Sequence, residues 1–146
     1  MNAYGTDQYR QTQVTTVDKG RLIVLLYEGA IKFLHEAAQA QRDGDIAGKS
    51  SGINRALDII GELSQSLNMQ DGGDIAFNLK RIYQFWTDHL LKAKIVRDSP
   101  AMDDVISMMS SLIEAWQTVC NDAEAAQAAA ARPQPITTAT TAARTI

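Results

Sequence analysis

The sequence predicts an all-α fold, an antiparallel up-and-down four-helix bundle with a short N-terminal strap and a flexible C-terminal tail. Three observations carry this expectation. Four stretches place apolar residues at helical spacing, and none alternates with the period of two that a strand requires. The breaks between them span about 3–6 residues, which favours antiparallel neighbours. The chain has three prolines in 146 residues, two of them at Pro133 and Pro135, so little interrupts long helices.

The first helix is expected over Lys19 to Arg42, with Leu22, Leu26, Ala30, Phe33 and Ala37 as its core stripe. Asp18 is the expected N-cap, because its carboxylate can accept from an orphan backbone N–H. Gly44 ends the helix, since glycine takes the left-handed cap conformation at no steric cost. The second helix runs from Ile46 to Leu67 behind Asp45 as N-cap, with Ile53, Leu57, Ile60, Leu63 and Leu67 on one face. Gly72 and Gly73 break the chain, and Asp74 caps a third helix from Ile75 to Val96. Its stripe is Ile75, Leu79, Ile82, Trp86, Leu90 and Ala93. Ser99-Pro100 opens the fourth: a hydroxyl N-cap, proline at the first helical position, then Asp103 and Asp104 in the first turn. This helix carries Met102, Val105, Ile106, Met109, Leu112, Ile113, Trp116 and Cys120. Helices of about 22 residues are roughly 33 Å long.

Three segments follow: residues 1–17 as an N-terminal strap, 18–122 as the helical bundle, and 123–146 as a disordered or partly helical tail. The strap is rich in Gln, Thr and Asn, and its two tyrosines, Tyr4 and Tyr9, stand out. The tail passes from an Ala-rich run through Arg132-Pro133-Gln134-Pro135 into Thr/Ala repeats.

Composition narrows the function. An apolar share of 45% is enough for a core. A net charge of −3 and a pI near 5.3 argue against nucleic-acid binding, which relies on a basic field. The single cysteine, Cys120, forms no internal disulfide. The longest apolar run, Leu22 to Tyr27, is about a third of a membrane span, so no direct membrane insertion is expected. The first residues have neither a basic start nor an apolar core of the secretory type, and a cytoplasmic location is expected.

Chemistry-bearing motifs are wanting. Glu-x-x-His pairs hold metals in bundles, but Lys32 and Trp86 stand three residues before His35 and His89. One cysteine and two distant histidines give no zinc spacing. Asp43, Asp45, Asp71, Asp74, Asp103 and Asp104 sit at helix starts and in links, where capping explains them. No nucleophile elbow, phosphate loop or dinucleotide fingerprint occurs. No cofactor, no metal and no catalysis are expected.

The first and third predicted helices carry more apolar surface than a single stripe of somewhat over 100° needs. Residues 22–27 are apolar in every direction, and Ile31, Phe33 and Leu34 add to them. Phe77, Tyr83, Phe85, Leu91 and Ile95 lie partly off the third stripe. Either these helices bury two sides, or they form a groove for another helix. Ile23, Leu26, Tyr27, Ile31 and Leu34 of the first helix and Phe77, Tyr83 and Leu91 of the third are the candidate groove residues. Tyr4 and Tyr9 are the candidate cover, since a tyrosine buries its ring and keeps its hydroxyl wet.

Particular segments resemble one family. Met1-Asn2-Ala3-Tyr4 is followed by Leu22-Ile-Val-Leu-Leu-Tyr27-Glu28-Gly29-Ala30-Ile31-Lys32-Phe33-Leu34. Gly44-Asp45-Ile46, Leu63-Ser-Gln-Ser-Leu67 and Gly72-Gly73-Asp74-Ile75-Ala76-Phe77-Asn78-Leu79 come next. In this order and spacing they resemble FliS, the flagellin-specific export chaperones, over residues 1 to about 121. The resemblance implies a non-enzymatic cytoplasmic chaperone with an antiparallel helical bundle. It implies binding of the C-terminal segment of flagellin, prevention of premature polymerisation, and delivery to the export gate protein of the flagellar type III secretion apparatus. It also implies an N-terminal segment, here with Tyr4 and Tyr9, that lies on the bundle until flagellin displaces it. A homodimer stays open. Two departures stand out: Asp18-Lys19-Gly20-Arg21 replaces the family's frequent Ser-Pro-Glu-Glu, and the tail is longer. Gly20 costs about 1 kcal/mol relative to Ala inside a helix. A general helical adaptor or oligomerisation bundle for another export substrate is the alternative reading, and a ligand-binding or catalytic bundle a further rival.

Overall fold

The computed structural model describes residues 2–131, with side chains from residue 18 onward. Within them the chain forms four helices and no strand: α1 (Asn2–Arg42), α2 (Ile46–Gln65), α3 (Gly73–Ala93) and α4 (Ala101–Ala131). α1 packs closely on α2 and on α4, while α3 packs on α2 and more loosely on α4. Neighbours run antiparallel. The start of α1's described surface meets the end of α4 at Gly20 and Cys120, and the end of α1 meets the start of α4 at Gln41 and Ser99. The fold is the expected all-α four-helix bundle.

The links explain why the helices stop where they do. Gly44 has φ +73°, the left-handed conformation that ends α1. The Gly44 N–H donates to the Gln41 carbonyl and the Asp45 N–H to the Ala40 carbonyl, which satisfies two orphan acceptors of the last turn. Asp45 then caps α2 by accepting from the Gly48 N–H at 2.9 Å. At α4 the Ser99 hydroxyl accepts from the Ala101 N–H at 3.1 Å, ahead of Asp103 and Asp104. The Gln41 side-chain amide both donates to and accepts from the Ser99 backbone, tying this cap to α1.

Two helix starts differ from expectation. α1 begins at Asn2, not Lys19, so Asp18 lies inside the helix and caps nothing. The backbone of residues 2–17 continues α1, while the side chains of Tyr4 and Tyr9 lie outside the described residues. α3 begins at Gly73, with φ +55°, behind Gly72, which makes no side-chain cap bond. Asp74 therefore falls within the first turn, where its charge opposes the positive end of the helix. α4 continues to Ala131, and residues 132–146 lie outside the described ones.

The core is built on a seam that differs from the expected one. Val24, Tyr27, Ala30, Leu34, Ala37 and Ala38 of α1 are buried, whereas Leu22 is 56% exposed and Phe33 only packs at the edge. The expected Ile75 of α3 is also outside; Ala76, Leu79, Tyr83, Trp86, Leu90 and Ala93 face in. Val105, Met102 and Met109 close the core from α4. Lys49 is the buried charge among the described residues. Its ammonium donates to the carbonyls of Val96 at 2.8 Å and Arg97 at 3.4 Å, bonds that offset desolvation and pin the start of α2 to the link after α3.

Small residues set how near α1 comes to its neighbours. A Cβ on Gly20 would collide with the Cys120 Sγ across the α1–α4 seam, so the residue that weakens a helix in isolation is the one that lets these two touch. A Cβ on Gly52 would lie 2.8 Å from the Phe33 carbonyl oxygen and 2.9 Å from the Ala37 Cβ. Backbone cannot yield as a flexible side chain can. Gly52→Val is therefore expected to destabilise the bundle by about 1–3 kcal/mol through overpacking, read as a lower urea midpoint with an unchanged m-value.

Candidate functional site

The centre of the bundle is aromatic. Tyr27 of α1 and Tyr83 of α3 share a buried hydroxyl–hydroxyl bond of 2.8 Å. Both rings meet Trp86, at 5.9 Å and 79° from Tyr27 and 5.4 Å and 43° from Tyr83. Burial pushes the Tyr83 hydroxyl far above the ordinary tyrosine range, and the bond to Tyr27 adds to this. Burial likewise raises Tyr27, while side-chain hydrogen bonds with Tyr83 and Trp116 pull the other way. Suppressed ionisation in the folded chain contributes stability that is complete below the unfolded value of about pH 10 and lost as pH climbs above it. In an absorbance titration, two of the four tyrosines are expected to ionise only as helix content disappears. Four tyrosines ionising together near pH 10 with helicity intact would contradict this.

Beside this centre, toward the end of the bundle where α2 gives way to α3, lies an apolar cavity of 460 Å³. Its walls come from all four helices. α1 contributes Lys19, Gly20 and Ile23; α2 contributes Leu63. The α2–α3 link adds Ser66, Leu67, Asn68, Asp71 and Gly72, and α3 adds Ile75, Ala76, Leu79 and Tyr83. Trp116 and Val119 of α4 complete it. The cause is a difference in helix length. α2 ends at Gln65 and α3 starts at Gly73, while α1 and α4 both run on past this level, so among the described residues α2 and α3 leave the facing surfaces of α1 and α4 uncovered here. Ile75 is 72% exposed and Val119 54% exposed at the rim, and the floor is Leu63, Leu79 and Tyr83, all buried. The link is held in shape by Asn68, whose side chain donates to the Asp71 carboxylate and accepts from the Asp71 N–H, each at 3.1 Å.

The sequence-derived groove residues divide among three places. Ile23 lines the cavity. Leu26 and Ile31 are half-buried against the core. Tyr27, Leu34 and Tyr83 are corrected to the interior: all three are sealed from solvent, the tyrosines because their hydroxyls satisfy each other. Tyr83 touches the cavity only as part of its floor. Phe77 and Leu91 are exposed, at 55% and 46%, yet on faces of α3 away from the cavity. Phe85 instead lines a shallower recess of 420 Å³ between α3 and α4, with Asn78, Arg81, Ile82 and Met108. The residues that sequence reasoning missed are Leu67, Ile75 and Trp116, each assigned there to the core, together with Val119. Their hydrophobicity was the visible signal. Its exposure depended on where α2 and α3 stop.

Other features suit no ligand chemistry. A depression of 490 Å³ between α1 and α2 is lined by Glu36, Gln39, Asp43, Asp45, Ser51 and Arg55, side chains that water satisfies. Among the described residues no three His, Cys, Asp or Glu side chains converge as a metal site, and none of their helices is long and apolar enough to cross a membrane. The cavity's donors are few and its walls greasy. It can bury apolar side chains of a partner and exclude water, and its polar rim, Lys19, Asn68 and Asp71, can orient what enters.

The profile of the family described as Flagellar protein FliS matches residues 1–123. The chain is similar to the flagellar secretion chaperone FliS of Vibrio cholerae, 33% identical over 74% of this chain and 79% of the relative. It is 30% identical to that of Campylobacter jejuni over 86% of this chain and 98% of the relative. The FliS of Salmonella typhimurium is also 30% identical, over 75% and 82%.

Proposed function

The chain belongs to the FliS family of flagellar secretion chaperones, and from that premise we propose that its end cavity receives the C-terminal segment of flagellin. The observation that carries this reading is the cavity itself: apolar, walled by four helices, and rimmed by large side chains such as Ile75 that stand in water. A client helix with apolar residues on one face would bury those side chains and its own together. Coupled folding and binding of this kind typically buries about 1,000–3,000 Å² and costs 2–5 kcal/mol or more in ordering, so binding is firm and release remains accessible.

The consequence for the client follows from competition. A segment folded onto α1, α3 and α4 cannot pair with other flagellin copies, so polymerisation waits. In this reading the chain acts in the cytoplasm without catalysis, and the loaded complex passes to the export gate of the flagellar type III secretion apparatus. Tyr4 and Tyr9 act as a cap that the client displaces. Calorimetric titration with a synthetic flagellin C-terminal peptide tests the proposal. Saturable binding with a negative heat-capacity change, absent for a peptide from the flagellin N-terminus, is the expected result. No saturable heat would overturn it.

A further inference from the structure

Two charged side chains line the end cavity, Lys19 of α1 and Asp71 of the α2–α3 link. They stand on different walls and do not pair with each other. Among the described residues the ion pairs are Arg21 with Glu124 and His89 with Asp104. The states of the two charges differ. The Asp71 carboxylate already accepts from the Asn68 side chain at 3.1 Å. Lys19 is exposed and enters no hydrogen bond or ion pair among the described residues. The mouth is therefore polarised, with an unpartnered cation on α1 and an engaged anion on the link. A cation beside apolar walls attracts an anion more strongly once a bound partner displaces the water between them.

A segment taken from the end of a chain carries one charge whatever its side chains are. This is the α-carboxylate, ionised at any pH well above about 3.5. If the segment is helical, its last carbonyls lack backbone partners and the macrodipole adds partial negative charge at the same end. Both call for a cation. Placed at Asp71, that end would meet a like charge instead. We propose that Lys19 receives the terminal α-carboxylate of the client, while the apolar residues just ahead of it enter between Ile23, Leu67, Ile75 and Trp116. This rests on the reading of the cavity as the client site and deepens it, by naming the end of the client that the cavity recognises and the wall it lies on.

Calorimetric titration of the full chain with two forms of the flagellin C-terminal peptide tests this, one ending in the free carboxylate and one amidated there. The same titrations are run on Lys19→Gln, on Lys19→Arg, and on Lys92→Gln. Lys92 lies in the last turn of α3 and outside the cavity, so it controls for net charge. The amide is expected to bind the unaltered chain about five- to tenfold more weakly than the acid. Lys19→Gln should weaken the acid by the same factor and leave the amide unchanged. Lys19→Arg should keep most of the preference and Lys92→Gln all of it, with urea midpoints verifying each fold. Equal affinity of acid and amide for the unaltered chain overturns the proposal. So does an amide penalty that persists in Lys19→Gln, which places the carboxylate elsewhere. A loss in Lys19→Gln shared equally by acid and amide also overturns it, since an acidic side chain of the client is then the partner. In these three cases a peptide that binds, and binds Ile75→Asp more weakly, leaves the client reading standing. Binding by neither form sinks the client reading and this inference with it.

Discussion

Replacing Trp86 with alanine is expected to destabilise the chain by about 3–5 kcal/mol, the range for emptying a fully buried tryptophan site. Trp86 has no exposed surface. It is the ring on which Tyr27 and Tyr83 both rest, and its Nε1–H points to the Met108 Sδ at 3.4 Å, across the loosely packed α3–α4 pair. Alanine leaves a void that rigid neighbours fill poorly. It also loosens the two tyrosines whose hydroxyl bond joins α1 to α3. Domains of this size are stable by only about 5–15 kcal/mol, so the loss raises the unfolded fraction by roughly two to three and a half decades. Urea unfolding followed by far-UV circular dichroism checks this. The midpoint should fall sharply while the m-value holds. A shift worth less than about 1 kcal/mol would mean that the aromatic cluster is not the centre of the core.

That cluster also shows how far the sequence could be read. Local signals were legible because their physics is local: Gly44, Asp45 and Ser99-Pro100 each act on backbone groups within a few residues. The register of α1 was not. From Leu22 to Tyr27 every residue is apolar, so several seams were equally oily, and a spacing of four picked out Leu22 and Leu26. What selects the true seam is the pattern of small residues. Gly20, Ala30, Ala37 and Ala38 allow α2 and α4 to approach on one side only, and that side carries Val24, Tyr27 and Leu34 inward. The excess hydrophobicity of α1 and α3 is visible in the sequence. The end cavity is not, because a cavity made by two helices stopping short is a property of relative lengths, not of any stripe. Gly20 reads as a defect in the helix and is in fact a contact with Cys120.

Ile75→Asp is expected to abolish most client binding without harming the fold, and it separates the site from the scaffold. Ile75 stands 72% exposed at the cavity rim, one residue from the buried Ala76 and one turn from Leu79. Little is lost in the free chain when it becomes polar, since its side chain already faces water and an acid in the first turn of α3 suits the positive helix end. In the complex the same side chain would be covered. Burying an isoleucine contributes about 1.5–3 kcal/mol, and a carboxylate forced into that position adds its own desolvation. Affinity for the flagellin C-terminal peptide should therefore fall about 10- to 100-fold or more, with helix content and urea midpoint unchanged. Phe77→Asp is the matched control, because Phe77 is comparably exposed on α3 yet does not line the cavity. Were Phe77→Asp to weaken binding more than Ile75→Asp, the client would lie along the outer face of α3, and the end cavity would lose its claim as the site.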